Sequence, residues 1–257
     1  MTSMPPPGRA PAPAPEPVDV GVVVALPIEV GPLLRRFADV RRYKGRRHTV
    51  IEGHCGGRLV ALVVAGPGRR AARRGAELLL SGHRPRWLVS AGFAGGLDPT
   101  LPRDGVLLPR EVVDPEGGHF SIDVTVPPEA DGPAFGTGRL VTVDHVVLTS
   151  RDKAALRART GADAVDMETS AVAALCAERS VRFLSLRVIS DPAGTDLPPE
   201  VLTVLGATGS YRLGAAFGSI LRRPSSLKDL LSLRDQAHTS ATRLAEVLPA
   251  AIGRLPC

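Results

Sequence analysis

The sequence predicts an α/β fold with a largely parallel sheet, and three observations carry that reading. Short β-branched runs alternate with segments whose apolar residues recur at helical spacing, the pattern of strand–helix–strand units. The chain has 257 residues, a length that slightly favours one large α/β domain over two small ones. No internal repeat or composition break marks a second domain, so residues 18–257 read as one domain behind a tail.

The tail comes first. Residues 1–17 are rich in proline and alanine and lack an apolar core, so they read as a disordered, partly polyproline segment and not as a secretory signal. Val18 to Ala25 is a buried strand. Pro27 suits a helix start, and Val30, Leu33, Leu34 and Phe37 continue at helical spacing. His48 to Glu52 and Leu59 to Ala65 form two strands around a turn at Gly56-Gly57. Gly66-Pro67-Gly68 is a loop leading to a helix over Arg69–Leu80. Arg86 to Ala91 is a third core strand, followed by the glycine segment Gly92–Gly96. Val106 to Val113 is a further strand. Asp114 to Gly138 is rich in proline and glycine and reads as a long loop or lid. Leu140 to Leu148 alternates as a strand, Arg151–Arg159 is a short helix, Glu168–Glu178 an alanine-rich helix, and Val181–Ile189 the last clear strand. Residues 201–252 form a helical extension, with Leu227, Leu230, Leu231, Leu233 and Ala237 on its apolar face.

Composition narrows the function. The hydrophobic share is 44%, enough for a sizeable core, while no apolar run reaches the length of a membrane span. The net charge of +6 invites nucleic acid as a partner. The arginines, however, fall as scattered pairs (Arg35-Arg36, Arg69-Arg70, Arg73-Arg74, Arg222-Arg223), and aromatics make up only 4%, too few for stacking platforms. Nucleic acid is therefore not expected. Three cysteines, an odd number with no CxxC, suggest neither a disulfide framework nor a thiolate metal site, and a reducing cytoplasm is the simplest setting. The six dispersed histidines show no metal spacing. No metal and no cofactor is expected.

Carboxylates at the ends of apolar runs carry the chemistry. Glu29 lies just beyond a buried strand, Glu168 just before a helix, and Asp191 just after a strand. In open α/β sheets ligands collect outside the carboxyl ends of strands. Each acid also has a bland explanation: Glu29 and Glu168 favour the first turn of a helix, and Asp191 before Pro192 forms turns. The segment Gly66–Arg70 reads either as a phosphate cradle or as a tight strand-to-helix turn. The segment Ala91–Leu97 reads either as a place of close ligand approach or as a sharp bend. The residues taken singly leave these pairs open.

Four segments in order decide more: VVVALPIEV (22–30), SAGFAGGLDPTLPRDGVLL (90–108), AVDMETSAVAALC (164–176) and FLSLRVISDPA (183–193). Together they resemble the nucleoside phosphorylase and nucleosidase superfamily, and most closely its 5′-methylthioadenosine/S-adenosylhomocysteine nucleosidases. The resemblance implies a three-layer α/β/α phosphorylase/hydrolase-like fold around a central mixed, partly barrel-like sheet. It implies a small-molecule nucleoside substrate, cleavage of a purine N-glycosidic bond, and a homodimer. It places Glu29 at the base that activates water and Asp191 at the acid that serves purine N7. Met167 and Glu168 fall at the ribose, Gly95 in the glycine lining, and Val147 where backbone holds the base. Phe93 stands where the family often has Ser or Thr, and Val146 where an aromatic usually stacks on adenine. Asp166 has no role in this scheme. Burial is expected to raise the pKa of Asp191. A negative Glu29 beside the nucleophile suits water better than phosphate, so hydrolysis of a 5′-substituted adenosine is the leading expectation. A phosphorylase, a hopanoid-pathway adenosyl nucleosidase and a non-catalytic nucleoside-binding protein stay open.

Overall fold

The computed structural model describes residues 17–45, 48–124, 126, 135–198, 201 and 225–256, and side chains of the last segment from residue 234 onward. Residues 1–16 of the proposed disordered tail, residues 125 and 127–134 of the 114–138 loop and most of the first half of the helical extension lie outside those residues; the described part of the loop carries β-strand at 119–121 and from 136 onward.

Among the described residues ten strands form one mixed sheet: β1 (Val20–Val24), β2 (Ala38–Lys44), β3 (Thr49–Cys55), β4 (Arg58–Val64), β5 (Trp87–Gly96), β6 (Val106–Val113), β7 (His119–Ser121), β8 (Gly136–Thr142), β9 (Ala164–Asp166) and β10 (Arg182–Asp191). Among the described residues five helices accompany them: α1 (Pro27–Leu34), α2 (Arg69–Gly82), α3 (Ser150–Thr160), α4 (Thr169–Arg179) and α5 (Ser225–Gly253). The sheet order is β10-β6-β8-β9-β5-β1-β4-β3-β2, with β7 beside β6. Because β10 also pairs with β5, the strands β5, β9, β8, β6 and β10 close on themselves, and β1, β4, β3 and β2 extend from β5 as an open wing.

Binary alternation along β1 explains the layers. Val20, Val22 and Val24 join the core under α1 and α5, with Leu33, Leu244, Leu248 and Ile252. Val23 joins the opposite core under α2 and α4, with Ala72, Leu79, Val172 and Leu175. A strand buried on both faces needs apolar residues at every position, which is why VDVGVVVA reads as a continuous run. The three-layer arrangement is the one implied by the resemblance.

Several boundaries differ from those expected. β2 had no sequence signal: it is a charged, exposed edge strand, the way natural sheets blunt an edge. β9 is only three residues long. The glycine segment 92–96 is not a bend after β5 but its second half, held by β10 on one side and β9 at its end. The strand expected over 140–148 ends at Thr142, and Asp191 lies within β10 rather than beyond it.

Candidate active site

The middle of β5 is where the sheet changes partner, and the site is built there. β1 accompanies β5 from Trp87 to Ser90, and β9 takes its place at Gly95 and Gly96. The gap between them lies at Gly92 and Phe93. The end of β1 delivers Glu29 into it and the end of β9 delivers Met167 and Glu168.

Glu29 is only 2% exposed. It sits in the first turn of α1 and reaches back to cap it: Oε2 accepts the amides of Ala25 (3.0 Å) and Leu26 (2.7 Å). Oε1 accepts the amide of Phe93 at 2.9 Å. The helix-terminus explanation is thus true of one oxygen and leaves the other facing β5. Burial raises the Glu29 pKa, opposed by the amides of Leu26 and Phe93 and by Arg187. Gly92 is required here, since a Cβ would stand 2.5 Å from Glu29 Oε1 and 2.8 Å from Arg187 Nη1.

Arg187 is the residue that sequence reasoning missed. It is 1% exposed in the middle of β10, opposite Gly92. Its Nη2 donates to Ser90 Oγ (2.7 Å) and Thr169 Oγ1 (2.6 Å) and pairs with Asp166 Oδ2 at 2.7 Å. Its Nε has no protein partner among the described residues. The available signal was a guanidinium inside the apolar run FLSLRVIS, since arginine is almost never fully buried unless paired. Asp166, set aside on sequence, is its counter-ion and also accepts from Thr142 Oγ1 and from the Thr169 amide. Ser90 turns inward, and its Oγ accepts from Arg187. These groups border a small internal gap lined by Ala25, Ser90, Ala91, Glu168 and Arg187.

Glu168 occupies the N-cap position of α4, partly buried, and its Oε1 accepts the amide of Gly68 at 2.7 Å. Gly68 is the N-cap of α2, so the glycine loop 66–68 does receive an anion, and the anion is this carboxylate. Glu168 shares one guanidinium with Asp166 and Glu29, and burial and the Asp166 charge push its pKa up to about 7. Arg69 donates to Glu116 and Asp144 and ties α2 to two loops, while Arg70 is exposed.

Asp191 is placed by an irregularity. The β10–β5 register shifts between Ile189 and Asp191, which sets Asp191 opposite Gly95. A Cβ on Gly95 would stand 3.1 Å from Asp191 Oδ2. Oδ1 accepts from Ser190 Oγ at 2.6 Å. Oδ2 faces Lys153 Nζ at 2.7 Å, a partner with no sequence signal. Burial raises the Asp191 pKa, opposed by Lys153, Ser190 and Arg103. The remaining residues divide. Met167 is partly buried beside Glu168, two residues beyond Val165, which pairs with Gly95. Phe93 packs against the α1–α5 core. The Val147 side chain belongs to a core cluster with Leu97, Leu156 and Val165, and Val146 beside it is half-buried. Among the described residues no cluster of three metal-ligating side chains occurs, and no helix is long and apolar enough to cross a membrane.

A profile of the phosphorylase superfamily matches residues 19–134 and 127–205. The 5′-methylthioadenosine/S-adenosylhomocysteine nucleosidase of Geobacillus kaustophilus is 29% identical over 203 residues, 65% of this chain and 84% of that one. The nucleosidase of the same name from Mycobacterium tuberculosis is 26% identical over 219 residues, 68% and 86% of the two chains. Among solved structures, that of the Neisseria meningitidis nucleosidase with methylthio-immucillin-A superposes with a TM-score of 0.69 at 19% identity, covering 91% of this chain and 98% of that one. The futalosine hydrolase of Helicobacter pylori superposes with a TM-score of 0.67 at 16% identity, covering 93% and 97%.

Proposed function

From the premise that this chain belongs to the phosphorylase superfamily, we propose that it is a purine nucleosidase, an N-glycosyl hydrolase that releases the base from a 5′-substituted adenosine. 5′-Methylthioadenosine and S-adenosylhomocysteine are the substrates named for its relatives and the first to try. One observation carries the reading. Two buried carboxyl groups, Glu29 and Asp191, flank the same glycine strand at Gly92 and Gly95. Three residues of strand separate those positions, roughly 10 Å along the backbone, so the two carboxyl groups meet β5 at different points of one strand.

The chemistry follows from the partners. Glu29 Oε2 is saturated by two amides, whereas Oε1 accepts one and keeps a lone pair toward the gap. Oε1 takes a proton from water as the water oxygen bonds to C1′. The C1′–N9 bond breaks, its electron pair leaves on the purine, and Asp191 supplies the proton to N7. The sugar passes through an oxocarbenium-like state. Glu168, half of its hydrogen-bonding capacity taken by Gly68 and Met167, presents the rest to the ribose hydroxyls, and the Met167 side chain packs on the sugar. Arg187 keeps the three neighbouring carboxylates from repelling one another out of the site.

Water is favoured over phosphate by the same contacts. The Gly68 amide at the α2 N-terminus is taken by Glu168, and Arg187 Nη2 by Asp166, Thr169 and Ser90. Phosphate would arrive among carboxylates with those donors already engaged. The decisive measurement is base release from a nucleoside panel with and without inorganic phosphate. Release without phosphate, together with free sugar, is expected. Strict dependence on phosphate with ribose 1-phosphate as product would sink the hydrolase, and nucleoside binding without base release would leave a binding protein. The panel includes futalosine, because the neighbour at TM-score 0.67 bears that activity in its name. A cytoplasmic homodimer serving methionine salvage accords with the relatives' substrates and with the buried free thiols of Cys55 and Cys176.

A further inference from the structure

Lys153 is the one fully buried cation outside the Arg187 cluster among the described residues, and its surroundings are specific. It stands on α3 at 0% exposure, on the face that also buries Leu156 three residues on. The helix is fixed at both ends, by the Thr149 side chain accepting the Asp152 amide and by Gly161 in the left-handed conformation. Lys153 Nζ donates to the carbonyls of Pro192 (2.9 Å), Thr195 (2.9 Å) and Asp191 (3.3 Å), and lies 2.7 Å from Asp191 Oδ2. Stapling a turn through its carbonyls needs only N–H donors. Burying a full ammonium to do so is costly unless the charge itself has a counterpart. The counterpart is the acid assigned to the leaving group.

We propose that Lys153 is a positioning residue for departure of the purine: its ammonium holds the Asp191 carboxyl in place and stabilises the carboxylate that remains once N7 has taken the proton. The proposal rests on the nucleosidase reading. Its balance is simple. The O–H bond of Asp191 breaks, an N7–H bond forms, the C1′–N9 electron pair stays on the base, and the new negative charge sits against the ammonium until solvent returns a proton. The other groups facing the pair are Ser190, whose hydroxyl donates to Oδ1; Arg103, which donates to the Ser190 carbonyl; and Asp196, near enough to feel the lysine. None replaces a cation at Oδ2.

Two variants separate charge from stapling. K153M removes donors and charge, and K153Q removes the charge but keeps an N–H donor for the turn. The readouts are kcat against pH for a purine nucleoside, and kcat for the corresponding riboside carrying a 4-nitrophenolate, which departs without protonation. Thermal melting and affinity for the free base report the fold. With the ammonium gone, Asp191 becomes a weaker acid. In both variants kcat on the purine nucleoside should fall about tenfold to a hundredfold, within the usual reach of general-acid help, and the alkaline limb should move to higher pH. The 4-nitrophenyl riboside should be cleaved within about threefold of the wild-type rate. A K153Q that behaves as wild type, a limb that stays in place, equal losses on both substrates, or failure of both variants to fold each reduces Lys153 to a staple and overturns the proposal. A wild type that cleaves the nitrophenyl riboside but not the purine nucleoside overturns it too. A wild type that releases neither leaving group removes the nucleosidase reading itself.

Discussion

Arg187 sets the electrostatics of the site. Three carboxyl groups, Asp166, Glu29 and Glu168, surround one guanidinium, so a single positive charge serves three acids. Glu168 absorbs the imbalance, with its pKa up to about 7 against an ordinary 4.5. The sign for stability follows. Between pH 4.5 and 7 the folded protein holds a proton on Glu168 that the unfolded chain has released, so stability falls as pH rises through that window. Glu168→Gln keeps an acceptor for the Gly68 amide and removes the titration. It should melt higher than wild type at pH 8, match it near pH 4.5, and lose affinity for the ribose, as read by melting curves at the two pH values and by KM. Asp191→Asn should keep the fold and lower kcat by about 10²–10⁴ on purine nucleosides, the span of a lost general acid. Arg187→Met leaves Asp166 buried without its counter-ion and should cost about 3–5 kcal/mol, measured by denaturant unfolding. Legibility at this scale was uneven. Glu29, Glu168 and Asp191 were readable because each acid ends an apolar run. Arg187 was readable in principle and overlooked, and Lys153 was not readable at all, because a lysine three residues before a leucine on a polar helix looks like any solvated one.

At the scale of elements, β5 does two jobs that the sequence shows as one. Its first half is a core strand, and its second half is a glycine-rich floor where side chains from α1, the end of β9 and β10 converge. Gly92→Ala tests this floor: the added methyl meets Glu29 Oε1 and Arg187 Nη1, so activity should fall at least about tenfold with secondary structure retained, by circular dichroism and base release. The turn joining β3 and β4 makes a different demand. Gly56 has φ +59° and packs on the Pro249 carbonyl of α5. Gly56→Ala combines a strained backbone with a steric clash and should destabilise by about 1–3 kcal/mol, a lower melting temperature with unchanged KM. The start of α1 was legible from Pro27, because the fixed backbone angle of proline is a local property. The edge strand β2 and the three-residue β9 were not, since neither has a periodic apolar pattern and both exist only because a neighbour offers an open ladder.

For the whole molecule, the expectation of a homodimer predicts a sedimenting species of twice the 27.0 kDa chain mass; a monomer that is fully active would remove the partner subunit from any account of the site. Local chemistry let the sequence by itself determine the α/β class, the order of the main elements and three of the acids. Valine runs bury on two faces, caps and glycines stop helices, and a carboxylate at a strand end stands out because burial there is expensive. Only the tertiary structure decided which groups share a charge. Glu29 meets Arg187 across β5 through a glycine with no side chain, Glu168 reaches the Gly68 amide 100 residues earlier in the chain, and Asp191 finds Lys153 across 38 residues. Interactions at 2.7 Å between residues that far apart leave no periodicity for a sequence to carry, because the strand pairing that brings them together is set by the packing of the whole sheet.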